Sequence, residues 1–193
     1  MKLLPLDTPE IIELAAGWLA RKENYQWFDF GNGKRLVITP ALLKIMAQRD
    51  THFLRVYTSG RDDIPAGILG LNDVNRAFKT ATLWGVAGEK SFRTRGYSTF
   101  ASSKFLTLAF RDLGLHAVNT WVADGNPSHK IIERLGFRFV GRQRHCHYID
   151  GRPHDRLLFD LLASEHRELD EERWHRTERS HREAIGEEHS ATR

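Results

Sequence analysis

The chain has 193 residues, 40% of them hydrophobic and 28% charged, with a formal charge of +4, a length that builds one core and is too short for two independent ones. A single cysteine, Cys146, excludes a disulfide scaffold or a four-cysteine zinc module, and no apolar run approaches the ~18 residues that span a bilayer, so a cytoplasmic protein with no membrane partner is expected. The charge divides into +7 over residues 1–163 and −3 over residues 164–193, a balance too weak to indicate a nucleic-acid binder.

In chain order, Lys2 to Leu6 is a short apolar strand. Thr8, Pro9 and Glu10 then supply a cap, a first-turn proline and a first-turn acid for a helix running to about Lys22. Thr39 and Pro40 open a second helix in the same way, with Leu42, Leu43 and Met46 on one face. His52–Thr58 alternates as a strand, Pro65–Leu71 is its hairpin partner, and a turn at Asn72–Arg76 leads into a strand over Thr80–Val86. A long helix follows with Phe100, Phe105, Leu106, Leu108, Ala109 and Leu113 on its buried side, closed by Gly114. Ala117–Val122 is a strand, Pro127–Leu135 a short helix stopped at Gly136, and Phe137–Val140 opens a strand that can run on to Tyr148. The Asp150-Gly151 pair turns the chain into Leu157–Leu162. The class is therefore mixed α/β, with helices on both faces of a mixed sheet. The crossover from Thr80–Val86 to Ala117–Val122 makes those two strands parallel. Beyond residue 163 the apolar residues dwindle to Leu169, Trp174 and Ile185, so a charged helix fraying into disorder is predicted for 164–193.

Chemistry concentrates where Arg93-Thr94-Arg95-Gly96-Tyr97-Ser98 joins a strand to a helix. Backbone N–H groups converge there with the positive end of the helix dipole, which makes an anion site. It is not a Walker loop, because no Lys-Ser/Thr follows the glycine, and it lacks the three spaced glycines of a dinucleotide fingerprint. This Arg-x-x-Gly-x-small turn, the amphipathic helix and strand after it, Asn126-Pro127-Ser128 and the IIERLGF segment together resemble the acyl-CoA-binding region of the GNAT acetyltransferase superfamily. The run LGFRFVGRQRHCHYIDGRPHDRLLFDLL is similar to the branch that holds the Rim-type ribosomal-protein N-acetyltransferases and many small-amine acetyltransferases. The likeness is strongest over residues 80–162. It implies the acyl-CoA N-acyltransferase fold, a mostly antiparallel mixed sheet, over residues 1–163.

It further implies that backbone amides from Arg95, Gly96, Tyr97, Ser98 and Thr99 hold the pyrophosphate of acetyl-CoA, with Arg93 and Arg95 near its phosphates. Val86 and Ala87 would pair with the pantetheine arm between two splayed parallel strands, and a backbone N–H there would meet the oxyanion. Asn126 and Ser128 would touch the thioester end. Two usual proton handlers are absent: Ile132 stands where many relatives have a tyrosine, and Thr82 where Rim-type relatives tend to have a glutamate. Asn126 also lies one residue nearer Ser128 than the usual spacing. Motif position favours Ser128 and then Asn126 as catalytic residues; Asp73, Glu89, Asp124 and His145 are open as relays for the amine proton.

The aromatics Trp18, Tyr25, Trp27, Phe28 and Phe30 either pack a core or form an aromatic lid over the acceptor. The expected acceptor is a primary amine on a small molecule such as an amino sugar or sugar nucleotide. The alternatives are a protein N-terminus, or a non-catalytic acyl-CoA-binding module. A monomer or a homodimer is compatible with these features. His145, Cys146 and His147, with His154 beyond the turn, do not make a metal site, because in an extended strand His145 and His147 share a face while Cys146 points away. Ser98 and Ser128 lack a His/Asp partner pattern, so no serine nucleophile is expected.

Overall fold

The Thr-Pro pairs start helices as their chemistry requires. Thr8 Oγ1 accepts from Ile11 N at 3.4 Å and Thr39 Oγ1 from Leu42 N at 3.2 Å, relieving one orphan donor in each first turn. The computed structural model describes residues 1–29, 38–60, 63–89 and 96–170. Its elements are β1 (Leu3–Leu4), α1 (Pro9–Leu19), α2 (Lys22–Tyr25), α3 (Pro40–Gln48), β2 (Phe53–Thr58), β3 (Pro65–Asn75), β4 (Thr80–Ala87), α4 (Tyr97–Arg111), β5 (Ala117–Ala123), α5 (His129–Arg134), β6 (Arg138–Ile149) and β7 (Arg152–Leu162). The one-turn α2 is an addition to the predicted order, and its four residues, KENY, carry no apolar period that could have announced it. No described helix is long and apolar enough to cross a membrane.

The strands form one sheet in the order β1-β2-β3-β4-β5-β7-β6. β4 and β5 are parallel, as the crossover predicts, and the other neighbours are antiparallel. Alternation along the strands gives each face its own core. Leu54, Val56, Ile68, Trp84 and Val86 pack against Ile12, Trp18 and Leu19 of α1 and Leu43 of α3. Leu69, Leu71, Leu83, Val118 and Leu161 pack against Phe105 and Leu106 of α4 and Ile132 of α5. Each such fully buried side chain contributes roughly 1.5–3 kcal/mol, so the sheet is clamped from both sides.

Three boundaries differ from the sequence reading. β3 runs on to Asn75 through an irregularity between Asn72 and Asn75, with Asp73 in the left-handed region (φ 53°); the polar NDVN segment looks like a turn, but it is a bulged continuation of the strand. β6 and β7 meet at a two-residue turn, Asp150 (φ 49°) and Gly151 (φ 77°), and pairing begins at once with Ile149↔Arg152. The charged start of β7 hides this extension from a hydrophobic pattern. Finally, residues 164–170 are not helical. They fold back on α4, where Leu169 N donates to Ser103 Oγ at 2.9 Å and His166 Nε2 lies 2.9 Å from Thr107 Oγ1. Residues 164–170 thus lie against the domain, and the rest of the predicted tail lies outside the described residues.

The feature that positions the site is the brevity of the β4–β5 ladder. Only Thr80↔Ala117, Ala81↔Val118 and Thr82↔Asn119 pair before the two strands part. At the fork, the buried Thr120 hydroxyl donates to the Leu83 carbonyl at 2.9 Å, replacing the ladder bond lost there. Thr120→Val preserves shape but orphans that carbonyl, and the expected loss is roughly 1–3 kcal/mol. Urea unfolding would read it as a lower midpoint at unchanged slope, with Thr120→Ser retaining most of the stability.

Candidate functional site

Parting of β4 and β5 opens a cavity of about 1250 Å³ through the middle of the sheet. Strand alternation decides which backbone groups face it. Gly88 N donates to Ala66 O on the β3 side, and Leu83 O faces Thr120 on the β5 side. Residues 83, 85 and 87 therefore turn their N–H and C=O groups toward β5, and Val86 turns its own toward β3. Of the two residues expected to meet a pantetheine arm, Ala87 presents its backbone to the opening. Val86 lines the cavity with its backbone aimed the other way, and Gly85 provides the second set of polar groups.

At one end of the opening lies the start of α4. Gly96 caps the helix in the left-handed conformation (φ 75°), which a side chain would strain. Gly96, Ser98 and Thr99 line the cavity, whereas Tyr97 is absent from its lining and packs against the α4-side core. Arg93 and Arg95 lie outside the described residues. Sequence reasoning missed Tyr57, which looks like one more core residue of β2. Its hydroxyl is 2.8 Å from Ser98 Oγ, tying the sheet to the first turn of α4. The tie depends on Gly67, its cross-strand partner. A Cβ there would collide with the Tyr57 ring and the Val86 carbonyl.

Across the opening, Asn126 and Ser128 both line the cavity, with Lys130 and Arg134 adding positive charge farther along α5. Asn126 Oδ1 accepts from Ser128 N at 2.9 Å, so the carboxamide oxygen shapes the turn and the amide nitrogen is what it can offer a ligand. Ile132 is buried, and its apolar side chain also lines the cavity.

Among the four possible proton relays the structure separates one. Asp73 lines the cavity at the β3 irregularity. The Glu89 carboxylate is engaged by Trp18 Nε1 at 2.9 Å and by Arg21 at 3.2 Å. Asp124 and His145 are exposed and do not line the cavity. The expectation that His145 and His147 share a face fails: a pairing irregularity between Gln143 and His147, with His145 at φ 49°, leaves His145 outside and buries His147. No cluster suited to a metal ion occurs among the described residues.

The aromatic set also divides. Trp18 belongs to the core, Phe30 is outside the described residues, and Tyr25 is not part of the lining. Trp27 and Phe28 do line the cavity, together with Trp84 and Trp121. Trp84 lies across Gly70, where a Cβ would come within 2.3 Å of the indole. It donates to Asn72 Oδ1 at 2.8 Å and meets Phe28 edge-on, with ring centres 5.7 Å apart. Behind this wall, His147 Nε2 is 2.7 Å from the Gln26 carbonyl. A carbonyl only accepts, so Nε2 carries the proton. Burial pushes the His147 imidazole below its ordinary value, Arg156 and His154 push the same way, and the Gln26 bond and Asp29 oppose them.

A family model described as an acetyltransferase (GNAT) domain matches residues 3–138. The putative ribosomal N-acetyltransferase YdaF of Bacillus subtilis is 32% identical over 100 residues, which cover 51% of this chain and 54% of YdaF; the match spans about half the length of that relative. Among solved structures, a probable acetyltransferase is similar at TM-score 0.67 and 24% identity, over 83% of this chain and 92% of the other. Spermidine N-acetyltransferase from Vibrio cholerae, in complex with CoA and spermine, is similar at TM-score 0.72 and 16% identity, over 85% and 96%. RimJ of Mycobacterium smegmatis, in complex with CoA-disulfide, is similar at TM-score 0.69 and 21% identity, over 84% and 82%.

Tyr57→Phe removes the hydroxyl that holds Ser98. Loss of one such bond, ~0.5–1.5 kcal/mol, predicts a roughly three- to tenfold weaker affinity for acetyl-CoA in a calorimetric titration.

Proposed function

This chain belongs to the GNAT acetyltransferase family, whose acyl donor is acetyl-CoA, and from that premise we propose that it acetylates a primary amine on a small acceptor such as an amino sugar or sugar nucleotide. The observation that carries the reading is the pairing of two unlike walls around one opening. Backbone groups of Gly85 and Ala87 and the Gly96–Thr99 turn form the donor wall; Trp27, Phe28, Trp84 and Trp121 form the acceptor wall. Flat rings suit the apolar face of a sugar or nucleoside while leaving its amine directed inward.

In the proposed reaction the pantetheine arm lies along β4, and acetyl-CoA phosphates meet the turn from Arg93 to Thr99. A neutral amine attacks the thioester carbonyl, forming the N–C bond, and collapse of the tetrahedral oxyanion breaks the C–S bond. The backbone N–H of Ala87, which faces the opening, stabilises the oxyanion in this reading. Asp73 takes the proton from the amine, directly or through one water, because it alone of the four relays borders the cavity. Ser128 donates a hydrogen bond to the departing thiolate, with Asn126 holding the turn. Proximity supplies much of the acceleration, since both reactants are held in one slot.

A protein N-terminus is the second reading, favoured by the 32% identity to a putative ribosomal N-acetyltransferase. A panel of amino sugars, sugar nucleotides, polyamines and N-terminal peptides incubated with acetyl-CoA, with thiol release followed continuously, separates the two. Turnover only on peptides would overturn the small-acceptor reading, and acetyl-CoA binding without turnover on any amine would favour a non-catalytic module. Asp73→Asn is expected to lower kcat by roughly 10²–10⁴ with acetyl-CoA affinity intact. Arg95→Glu is expected to weaken acetyl-CoA binding by ~100-fold or more, and unchanged affinity in equilibrium dialysis would remove Arg95 from the phosphate site.

A further inference from the structure

The loop that carries Trp27 and Phe28 is closed by short-range backbone bonds, Trp27 N to Asn24 O and Phe28 N to Tyr25 O, and is tied to α1 by Asn24 Nδ2, which donates to the Trp18 carbonyl at 2.7 Å. Residues 22–29 comprise a single helical turn and an irregular segment, and three further polar ties join them to the β6–β7 hairpin. Lys22 Nζ is 2.6 Å from Asp150 at the hairpin turn. The Gln26 carbonyl accepts from His147 of β6 at 2.7 Å. Asp29 accepts from Arg156 of β7 at 2.7 Å. The first tie is exposed and is worth little. The other two converge on Arg156, whose side chain is only 16% exposed.

Arg156 makes three contacts with different elements. Its Nη2 binds Asp29 and lies 3.4 Å from His147 Nδ1. Since Nε2 of His147 carries the proton, Nδ1 is the acceptor of that contact. The guanidinium also stacks over Trp121 of β5, 4.1 Å from the ring centre, and the His147 ring lies 5.5 Å from the same indole. Trp121 itself lines the cavity. One planar cation therefore locks a loop, an imidazole and an aromatic wall into a single arrangement, as a fork of fixed donors can and a lysine cannot. The pairing irregularity between Gln143 and His147 completes it, because it carries His147 inward to reach Gln26.

We propose that Arg156 is a positioning residue for the acceptor: through Asp29, His147 and Trp121 it fixes residues 26–29 against β5 and so sets which amines the pocket accepts. The inference rests on the acetyltransferase reading for its meaning in turnover, and on geometry alone for the strap itself. Arg156 has no place in the donor wall, so acceptor and donor binding should separate.

The test uses Arg156→Met, which keeps a long side chain over Trp121 and loses the fork, with Arg156→Lys and Asp29→Asn alongside. Arg156→Met is expected to raise the acceptor KM about tenfold or more, while kcat and acetyl-CoA affinity change by less than about threefold. Arg156→Lys should recover part of the loss, and Asp29→Asn should add little to Arg156→Met in the double variant, because both break one tie. Hydrogen exchange over residues 22–29 is measured on the same proteins and should rise in Arg156→Met. Unchanged exchange there, or equal losses of acceptor and acetyl-CoA affinity, would overturn the proposal. Raised exchange in a protein that acetylates no amine would uphold the strap and remove the catalytic reading instead.

Discussion

Two parallel strands that pair for three residues and then separate impose the conditions that the rest of the molecule meets. Backbone polar groups exposed by such a parting need partners, and within the protein the Thr120 hydroxyl provides one at the fork. Beyond the fork, the backbone groups of Gly85 and Ala87 face the opening between β4 and β5. Each face of the sheet around the opening has its own core. The α4-side core spans both strands, with Leu83 of β4 and Val118 and Val122 of β5, and Leu83, Val122 and Ile132 from it also line the opening.

The two walls are shaped by a common device. β3 carries Gly67 opposite Tyr57 and Gly70 opposite Trp84. Each missing side chain lets a neighbouring strand's ring lie flat across β3, one on the α4 face and one on the α1 face. One ring reaches the start of α4 and the other meets Phe28. A single strand with two glycines thereby places an aromatic at each end of the same cavity, and its spacing of three residues sends them to opposite faces.

Much of this was legible from local chemistry. Thr-Pro caps, the left-handed stops at Gly114 and Gly136, the Asp150-Gly151 turn and the parallel crossover all follow from residue types acting within a few positions. The motif residues Gly96, Ser98, Thr99, Asn126 and Ser128 do gather around one opening. What escaped depends on register and on distant partners. Strand parity turns the backbone of Gly85, and not that of Val86, toward the opening, which needs the pairing with β3. Tyr57 is indistinguishable from a core residue until Ser98 is beside it. His145 and His147 look equivalent until the pairing irregularity between them separates their faces. Arg156 sits in a run of charged residues whose inward member cannot be chosen without knowing that β7 begins at Arg152.

The place of β7 in the sheet has a consequence for biosynthesis. β1 to β4 each pair with the strand next in chain order, and can assemble as the chain emerges. β5 is different, because its pairing with β4 is brief and its long ladder is with β7, from Ala117↔Leu162 to Ala123↔Arg156. β6, too, finds its sheet partner only in β7. A nascent chain released up to residue 138, where the family match ends, thus holds the donor turn and the fork residues but lacks the strand that secures β5. β7 is the last strand in chain order, so the ladder that secures one side of the opening is available only once residue 162 has been made.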